Sequence, residues 1–229
     1  MNFNEFAEPV GHHSTLNPKL WEHNRLKSSV CGALLRIAED FLKFVEVPVE
    51  VLDIVIAGGN ANYNYTSHSD IDLHIIADYS KVNCDREAAE LFDTKRLLYK
   101  REYDLTIDGI PVELYIEDHR VPAVSSSYSI VNKEWVKSPA KDIPEYDEKE
   151  LKHYVKIWRT VLQHAIKTGS LQACRNSVKL LRTYRKKGLR TPAGEFSIPN
   201  LVYKSLRNDD TLAGITHLIN QLHSQDLSI

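Results

Sequence analysis

Two aspartates, Asp70 and Asp72, are separated by one residue at the beginning of an apolar stretch. Because successive side chains of a β-strand point to opposite faces, a strand here places both carboxylates on one face. Ile71, Leu73 and Ile75 then point to the other face, toward a core. Two adjacent carboxylates repel each other unless a positive charge lies between them. A divalent metal ion is the natural partner, since hard cations prefer oxygen ligands.

A pair of glycines, Gly58 and Gly59, follows an apolar run and is separated from Asp70 by ten residues. Glycine lets a backbone loop approach phosphate oxygens closely and offer its N–H groups to them. Taken alone, a Gly-Gly pair is usually only a turn, and an Asp-x-Asp pair is often a solvated strand end. Together they indicate metal carboxylates beside a phosphate-binding turn, which predicts chemistry on a nucleoside triphosphate.

The combined pattern is an apolar residue, two glycines, a short loop and an acid–apolar–acid–apolar strand. Two segments carry it, Ala57-Gly58-Gly59 and Asp70-Ile71-Asp72-Leu73. The pattern resembles the signature of the polymerase-beta-like nucleotidyltransferase superfamily. The resemblance implies an α+β (α/β) fold, with a small mixed β-sheet and flanking helices. It also implies transfer of a nucleoside monophosphate from a triphosphate such as ATP to a hydroxyl of an RNA end, a nucleotide, a protein or a small molecule.

The resemblance implies roles for the matched positions. Asp70 and Asp72 are expected to bind two metal ions, either Mg²⁺ or Mn²⁺. Gly58 and Gly59 are expected to hold the β- and γ-phosphates through backbone N–H groups. Many relatives carry serine in place of Gly59, so that hydroxyl is missing here. Three nearby polar residues are candidates to replace it: Asn60, Ser67 and Ser69.

A third acidic ligand is expected on a later strand. Asp108-Gly109 between two alternating runs predicts a β-hairpin, and its second strand carries Glu113 between two apolar residues. This arrangement matches the superfamily's apolar–acid–apolar pattern, so Glu113 is the expected third ligand. Glu117 on the same face is the alternative. Without the upstream motif, Glu113 would be interpreted as part of the solvated face of a hairpin, where glutamates are common.

Hydrophobic periodicity predicts the elements that position these residues. A helix is expected over residues 19–45, with Pro18 at its start, and a second over residues 86–99. Strands are expected over residues 51–57 and 70–76. Residues 119–150 are predicted to be a long connection that either packs on the sheet, which is the favoured role, or lines the nucleotide pocket.

The last third of the chain has helical periodicity throughout. Helices are predicted over residues 148–169, 170–187, 199–207 and 210–223, with Gly188 ending the second. The chain is therefore expected to contain a catalytic domain over residues 1–145, beginning with a flexible arm over residues 1–16. An all-helical C-terminal domain over residues 146–229 is expected to follow.

Charge is distributed unevenly along the chain. Residues 1–150 contain 16 lysines and arginines against 27 aspartates and glutamates, whereas residues 151–190 contain 11 basic residues and no acidic one. Arg175, Lys179 and Arg182 are spaced to share one helix face. A run of like charge is usually a solvated face, but such faces normally mix both signs. The segment therefore predicts contact with phosphate, either a nucleotide tail or RNA.

Several other classes of site are disfavoured. No apolar run reaches the roughly 18 residues of a membrane span, and the three cysteines lie far apart. Reduced thiols and a cytoplasmic location are therefore expected. Several histidines lie near the acidic motif, but their spacing is not that of a zinc site. The oligomeric state is not predictable from the sequence.

A narrower resemblance concerns small uncharacterised nucleotidyltransferase-like proteins of phages. It rests on the segments AGGNANYNYTSHSDIDLHI, PVELYIED, YSIVNKEWV and GEFSIPNLVYKSLRN. It implies a location in the host cytoplasm but no substrate. A non-catalytic nucleotide- or RNA-binding module on the same fold is the alternative function, although three aligned carboxylates are more than a simple binder needs.

Overall fold

The computed structural model describes residues 13–82, 85–123, 125–139 and 146–228. The chain divides into two compact units, whose described residues lie within 13–139 and 146–228. The predicted domain boundary after residue 145 and residues 1–12 of the predicted arm fall outside the described ranges. The end of that arm is not loose, because Leu16 is buried and the His13 backbone N–H donates to the Tyr63 carbonyl at 2.7 Å.

The first unit contains eight strands and two α-helices among its described residues. In chain order they are β1 (Trp21–Glu22), β2 (Arg25–Leu26), α1 (Ser28–Val45), β3 (Val51–Ala57), β4 (Ile71–Ala77), α2 (Asp85–Glu102), β5 (Thr106–Ile107), β6 (Ile110–Asp118), β7 (Ser127–Ser129) and β8 (Glu134–Lys137).

A six-stranded mixed sheet forms the centre of this unit, in the order β5-β6-β4-β3-β7-β8. Strand β4 lies in the middle, antiparallel to β3 and parallel to β6. Ile71, Leu73 and Ile75 of β4 are fully buried. They share one hydrophobic core with residues of α1 and α2. The predicted α+β class with a small mixed sheet is therefore confirmed, and strict alternation in β4 leaves its polar residues on the opposite face.

The helix predicted over residues 19–45 begins only at Ser28 in the structure. Residues 21–26 instead form the short hairpin β1–β2, whose turn places His23 and Asn24 at φ angles of 49° and 61°. Such left-handed conformations at both central residues define a primed hairpin turn and interrupt a helix. Trp21 is buried there and stacks on Trp135, with ring centroids 4.9 Å apart. The hairpin is therefore held by tertiary contacts that helical periodicity does not reveal.

The stretch predicted to be a long connection contributes two strands to the sheet. Strand β7 pairs antiparallel with β3, and β8 pairs with β7. Tyr128 of β7 is 2% exposed and lies edge-on to Trp21, with ring centroids 5.2 Å apart. The favoured role, packing on the sheet, agrees with these contacts. The two strands escaped prediction because three or four residues are too short to show a period.

The second unit is all-helical over its described residues, as predicted. Its helices are α3 (Glu148–Thr168), α4 (Leu171–Leu189), α5 (Ile198–Asn208) and α6 (Thr211–Leu227). Asp147 and Ser170 cap the first two by accepting hydrogen bonds from backbone N–H groups. Their apolar stripes meet in a separate core that includes Leu162, Leu181 and Leu201. Among the described residues, no helix has the length and hydropathy that a membrane span requires.

Gly188 does not end α4 as predicted. It lies inside the helix and is buried, and the helix continues to Leu189. A Cβ atom at this position would lie 2.6 Å from Ser197 Oγ and 2.7 Å from Pro199 Cβ. The glycine therefore allows the start of α5 to approach α4 closely, which is a packing role rather than a helix stop.

A buried ion pair links two parts of the second unit. Arg159 lies on α3 within the basic segment over residues 151–190, but its Nη2 lies 2.5 Å from Oδ2 of Asp209. The Asp209 side chain is only 1% exposed, and its Oδ1 also accepts a hydrogen bond from the Thr211 backbone N–H. Arg159 is therefore a structural residue and not part of a phosphate-binding face.

Replacing Arg159 with leucine is expected to lower the free energy of unfolding by about 3 kcal/mol or more, because it leaves the Asp209 carboxylate buried without its partner. Urea unfolding of the full chain measures this loss. The control is Lys156→Leu at an exposed position of the same helix, where a change within about 0.5 kcal/mol is expected. Equal effects of the two substitutions would contradict a structural role for the pair.

Candidate metal site

Three carboxylates converge at one edge of the central sheet. Asp72 on β4 lies directly opposite Glu113 on β6, and Asp70 immediately precedes β4. One ligand oxygen from each lies within 4.8 Å of the other two, and all three residues are half-buried. Oxygens bound to one Mg²⁺ at about 2.1 Å lie roughly 3–4 Å apart, so small side-chain rotations would complete such a site. The structure thus brings together the three predicted ligands, and this cluster could bind metal ions.

The alternative ligand, Glu117, lies four residues farther along β6. It is paired in register with Ile76, whereas Glu113 is paired with Asp72. Its carboxylate contacts Nδ1 of His74 at 3.1 Å. The geometry therefore favours Glu113 over Glu117 as the third acid.

Glu113 is held in its ionised form by two neighbours. The Lys100 ammonium contacts Oε1, and the Tyr115 hydroxyl donates to Oε2 at 2.8 Å. Burial alone would raise the pKa of Glu113, but the hydrogen bonds from Lys100 and Tyr115 outweigh it, and the pKa lies below its ordinary value. Burial and the bond to Glu113 raise the pKa of Tyr115, which remains a neutral donor.

Lys100 and Tyr115 were not identified from the sequence. Tyr115 could have been found, because it is two residues after Glu113 on a strand and so must share its face. Lys100 lies near the end of α2, and only the tertiary structure brings it to Glu113. Its ammonium group contacts one carboxylate oxygen of Glu113.

Gly58 lies directly against the carboxylate of Asp72. Its φ and ψ angles are 74° and −156°, a region that L side chains rarely adopt. A Cβ atom here would lie 1.9 Å from Asp72 Oδ2. The glycine therefore has a structural role that the sequence did not reveal, since it makes the space in which Asp72 is positioned.

Asn60 was predicted to contact phosphate, but its side chain is inside the protein. It is fully buried, and Nδ2 donates to the carbonyl oxygens of Ser69 (3.1 Å) and Asp70 (2.8 Å). Its Oδ1 accepts from Asn17 Nδ2 at 2.8 Å. Because both ends of the amide are engaged, Asn60 is a positioning residue that holds the backbone of Asp70.

The two candidate serines differ in their surroundings. The Ser69 hydroxyl accepts a hydrogen bond from the Thr66 backbone N–H at 2.9 Å. The Ser69 hydroxyl oxygen would lie 3.2 Å from a Cβ atom at Gly59. It therefore borders the position at which many members of the superfamily carry serine. Ser67 is exposed, and its hydroxyl lies 3.2 Å from His68 Nδ1. Ser69 is therefore the better placed of the two to contact phosphate.

The predicted basic residues Arg175, Lys179 and Arg182 belong to α4 of the second unit. They are exposed and line one groove with residues of α6. Their predicted contact with a nucleotide or RNA stays a prediction at this point.

Asn60→Ala is expected to lower the free energy of unfolding by about 3 kcal/mol. The substitution removes the Asn60 donor from the partly buried carbonyl groups of Ser69 and Asp70, at about 1–3 kcal/mol each. Chemical unfolding of the full chain checks this value against Asn132→Ala, an exposed asparagine of the same unit. A loss no larger than that of the control would show that the buried amide does not hold the loop.

Comparison with known proteins yields one solved structure. No family model matches the chain, and no curated protein matches it. The structure is a STING-associated CdnE c-di-GMP synthase from Capnocytophaga granulosa, at 15% sequence identity and a TM-score of 0.25. The match covers 88% of this chain and 67% of that chain.

Proposed function

We propose that the protein is a metal-dependent nucleotidyltransferase, which transfers a nucleoside monophosphate from a nucleoside triphosphate to a hydroxyl acceptor. One observation carries the proposal: Asp70, Asp72 and Glu113 converge within 4.8 Å of one another beside Gly58. A purely structural face of a sheet gains nothing from three mutually repelling carboxylates. Mg²⁺ that is bound together with substrate phosphates is held by carboxylate ligands of this kind.

The donor set fits Mg²⁺ or Mn²⁺, because all its ligand atoms are carboxylate oxygens. When bound, two such ions neutralise the triphosphate and make the attacking hydroxyl nucleophilic. Asp70 and Asp72 would hold both ions, and Glu113 would complete the site on the acceptor side. Lys100 and Tyr115 keep the Glu113 carboxylate charged and fix its orientation. These residues prepare the charge and geometry of the site before substrate binds.

The triphosphate would lie on the loop between β3 and β4. Backbone N–H groups at Gly58 and Gly59 are the proposed donors to its β- and γ-phosphates, with the Ser69 hydroxyl in the place where relatives carry serine. Asn60 contributes only by holding this loop against Asp70. In the proposal the protein works in the cytoplasm, where nucleoside triphosphates are available. The narrower resemblance to phage proteins stays a prediction.

The function is tested by incubating the full chain with each α-labelled nucleoside triphosphate, Mg²⁺ or Mn²⁺, and cell extract. Transfer of label to an acceptor, with release of pyrophosphate, is expected for at least one triphosphate, and EDTA should abolish both. Glu113→Gln should lose the activity, whereas Glu117→Gln should retain it. Triphosphate binding that needs no metal, without label transfer under any condition, would instead support the non-catalytic module.

A further inference from the structure

A groove of about 430 Å³ runs between α4 and α6 in the second unit. Its volume is in the range of ligand sites in proteins. Four basic residues of α4 form one edge, and neutral polar residues lie along α6, with apolar side chains from both helices between them. The residues that line it are Arg175, Val178, Lys179, Arg182, Thr183, Lys186, Thr216, Ile219 and Asn220.

The charge of this groove has one sign. No acidic residue is among the described residues that line it, and the sequence of residues 151–190 contains no aspartate or glutamate. Within the part of the chain that the structure describes, none of the four basic residues forms an ion pair, and all four are exposed. A solvated helix face normally offsets its charges through pairs three or four residues apart. An edge without such pairs attracts a polyanion.

The spacing of the charges indicates a ligand with repeated anionic groups. Arg175, Lys179, Arg182 and Lys186 are separated by four, three and four residues on α4. At 1.5 Å per residue they form a row about 16 Å long, with one cation every 5–6 Å. A row of regularly spaced point charges suits the phosphates of a polynucleotide strand better than one small anion.

The apolar residues at the floor of the groove indicate which class of polyanion it binds. Val178 is buried and Ile219 half-buried between the basic edge and the hydroxyl and amide groups of Thr216 and Asn220. A nucleic acid strand has phosphates along one edge and apolar base faces with polar rims along the other. An acidic peptide or inorganic polyphosphate carries charge without such apolar faces, so it would leave the floor uncovered.

We infer that the groove between α4 and α6 binds single-stranded nucleic acid. Its phosphates would lie along Arg175, Lys179 and Arg182, and its bases would pack toward Val178 and Ile219. This inference does not depend on the proposed transferase activity, because the groove is a feature of the second unit alone.

The test is the fluorescence anisotropy of labelled U12 RNA and T12 DNA with the full chain, without nucleotide or divalent ions, between 50 and 200 mM salt. The triple variant Arg175→Gln/Lys179→Gln/Arg182→Gln should bind at least tenfold more weakly. The slope of log affinity against log salt concentration should be smaller in magnitude by about 2 for this variant, since each lost phosphate contact in a single strand contributes roughly 0.7 to the slope. Comparing the two oligonucleotides shows whether RNA or DNA is preferred.

The matched control removes the same charge elsewhere on the second unit. Lys156→Gln/Lys167→Gln/Lys187→Gln changes three exposed lysines that do not line the groove, and its affinity should stay within threefold of the wild type. Ile219→Glu should weaken binding at least tenfold while circular dichroism shows unchanged helix content.

Equal losses in the two triple variants would overturn the inference, because binding would then follow net charge alone. Absence of binding to both oligonucleotides at 50 mM salt would also overturn it. Displacement of the strand by inorganic polyphosphate or polyglutamate at equal charge concentration would show that the apolar floor has no role, and would overturn the assignment to nucleic acid.

Discussion

Asp72→Asn is expected to abolish nucleotidyl transfer without unfolding the protein. Asp72 is the central member of the cluster, since it lies opposite Glu113 and directly against Gly58. Asparagine keeps the shape of the side chain but removes the negative charge that binds a cation. A loss of about 4 kcal/mol in transition-state stabilisation corresponds to a roughly 10³-fold lower rate. Pyrophosphate release at saturating triphosphate measures it.

Stability separates this effect from damage to the fold. Because the neutral amide of this variant no longer repels two neighbouring carboxylates, thermal unfolding should occur at the same temperature or slightly higher. Asp104→Asn provides the control, since Asp104 is an exposed aspartate of the same unit. It should leave activity within twofold of the wild type. Activity of Asp72→Asn close to that of the control would remove the basis of the proposed function.

Gly58→Ala is expected to have a comparable effect on activity and a larger one on stability. The added Cβ would lie 1.9 Å from Asp72 Oδ2, so either the carboxylate or the loop must move. The backbone conformation adds a strain of about 1–3 kcal/mol for a side-chain-bearing residue. We expect at least 100-fold lower transfer and a free energy of unfolding lower by about 3 kcal/mol. Kinetic assays and urea unfolding of the same preparation measure both.

Gly109→Ala isolates the contribution of strain. Gly109 has a φ angle of 77°, close to the 74° of Gly58, but a Cβ there would meet nothing within 4 Å. The control should therefore lose stability through backbone strain while retaining activity. If Gly58→Ala also retained activity, the close approach of Gly58 to the Asp72 carboxylate would not be required for nucleotidyl transfer.

Strand alternation and turn propensity predicted the part of the site that depends on neighbouring residues in the chain. Alternation along one strand was enough to place Asp70 and Asp72 away from the core, and Ile71 and Leu73 are indeed fully buried. The Asp108-Gly109 turn was also predictable, because aspartate and glycine tolerate positive φ angles. Both residues adopt such angles in the structure.

The proximity of Glu113 to Asp72 could not be predicted from strand alternation or turn propensity. It depends on the register between two parallel strands that are about forty residues apart in the chain. Alternation allowed both Glu113 and Glu117, and only the register separates them. The resemblance to a known signature favoured Glu113 without giving its distance from the aspartates.

Tertiary contacts explain the differences between the expectations from sequence and the structure. Asn60 resembles a ligand in sequence because it is polar and follows two glycines, yet its amide is used to join Asn17 to the Asp70 backbone. Residues 21–26 were included in the predicted first helix, but Trp21 is fixed by a hydrogen bond from its Nε1 to the Asn60 carbonyl at 2.7 Å. In both places long-range contacts override local preference.

In the proposed function, Asp70, Asp72 and Glu113 form a metal site for a nucleoside triphosphate. Calorimetric titration of Mn²⁺ into the full chain, with a non-hydrolysable triphosphate present, tests it without knowledge of the acceptor. Mn²⁺ binding is expected to be at least tenfold weaker in Glu113→Gln and unchanged in Glu117→Gln. No Mn²⁺ binding by the wild type, or equal affinity in the wild type and Glu113→Gln, would contradict it.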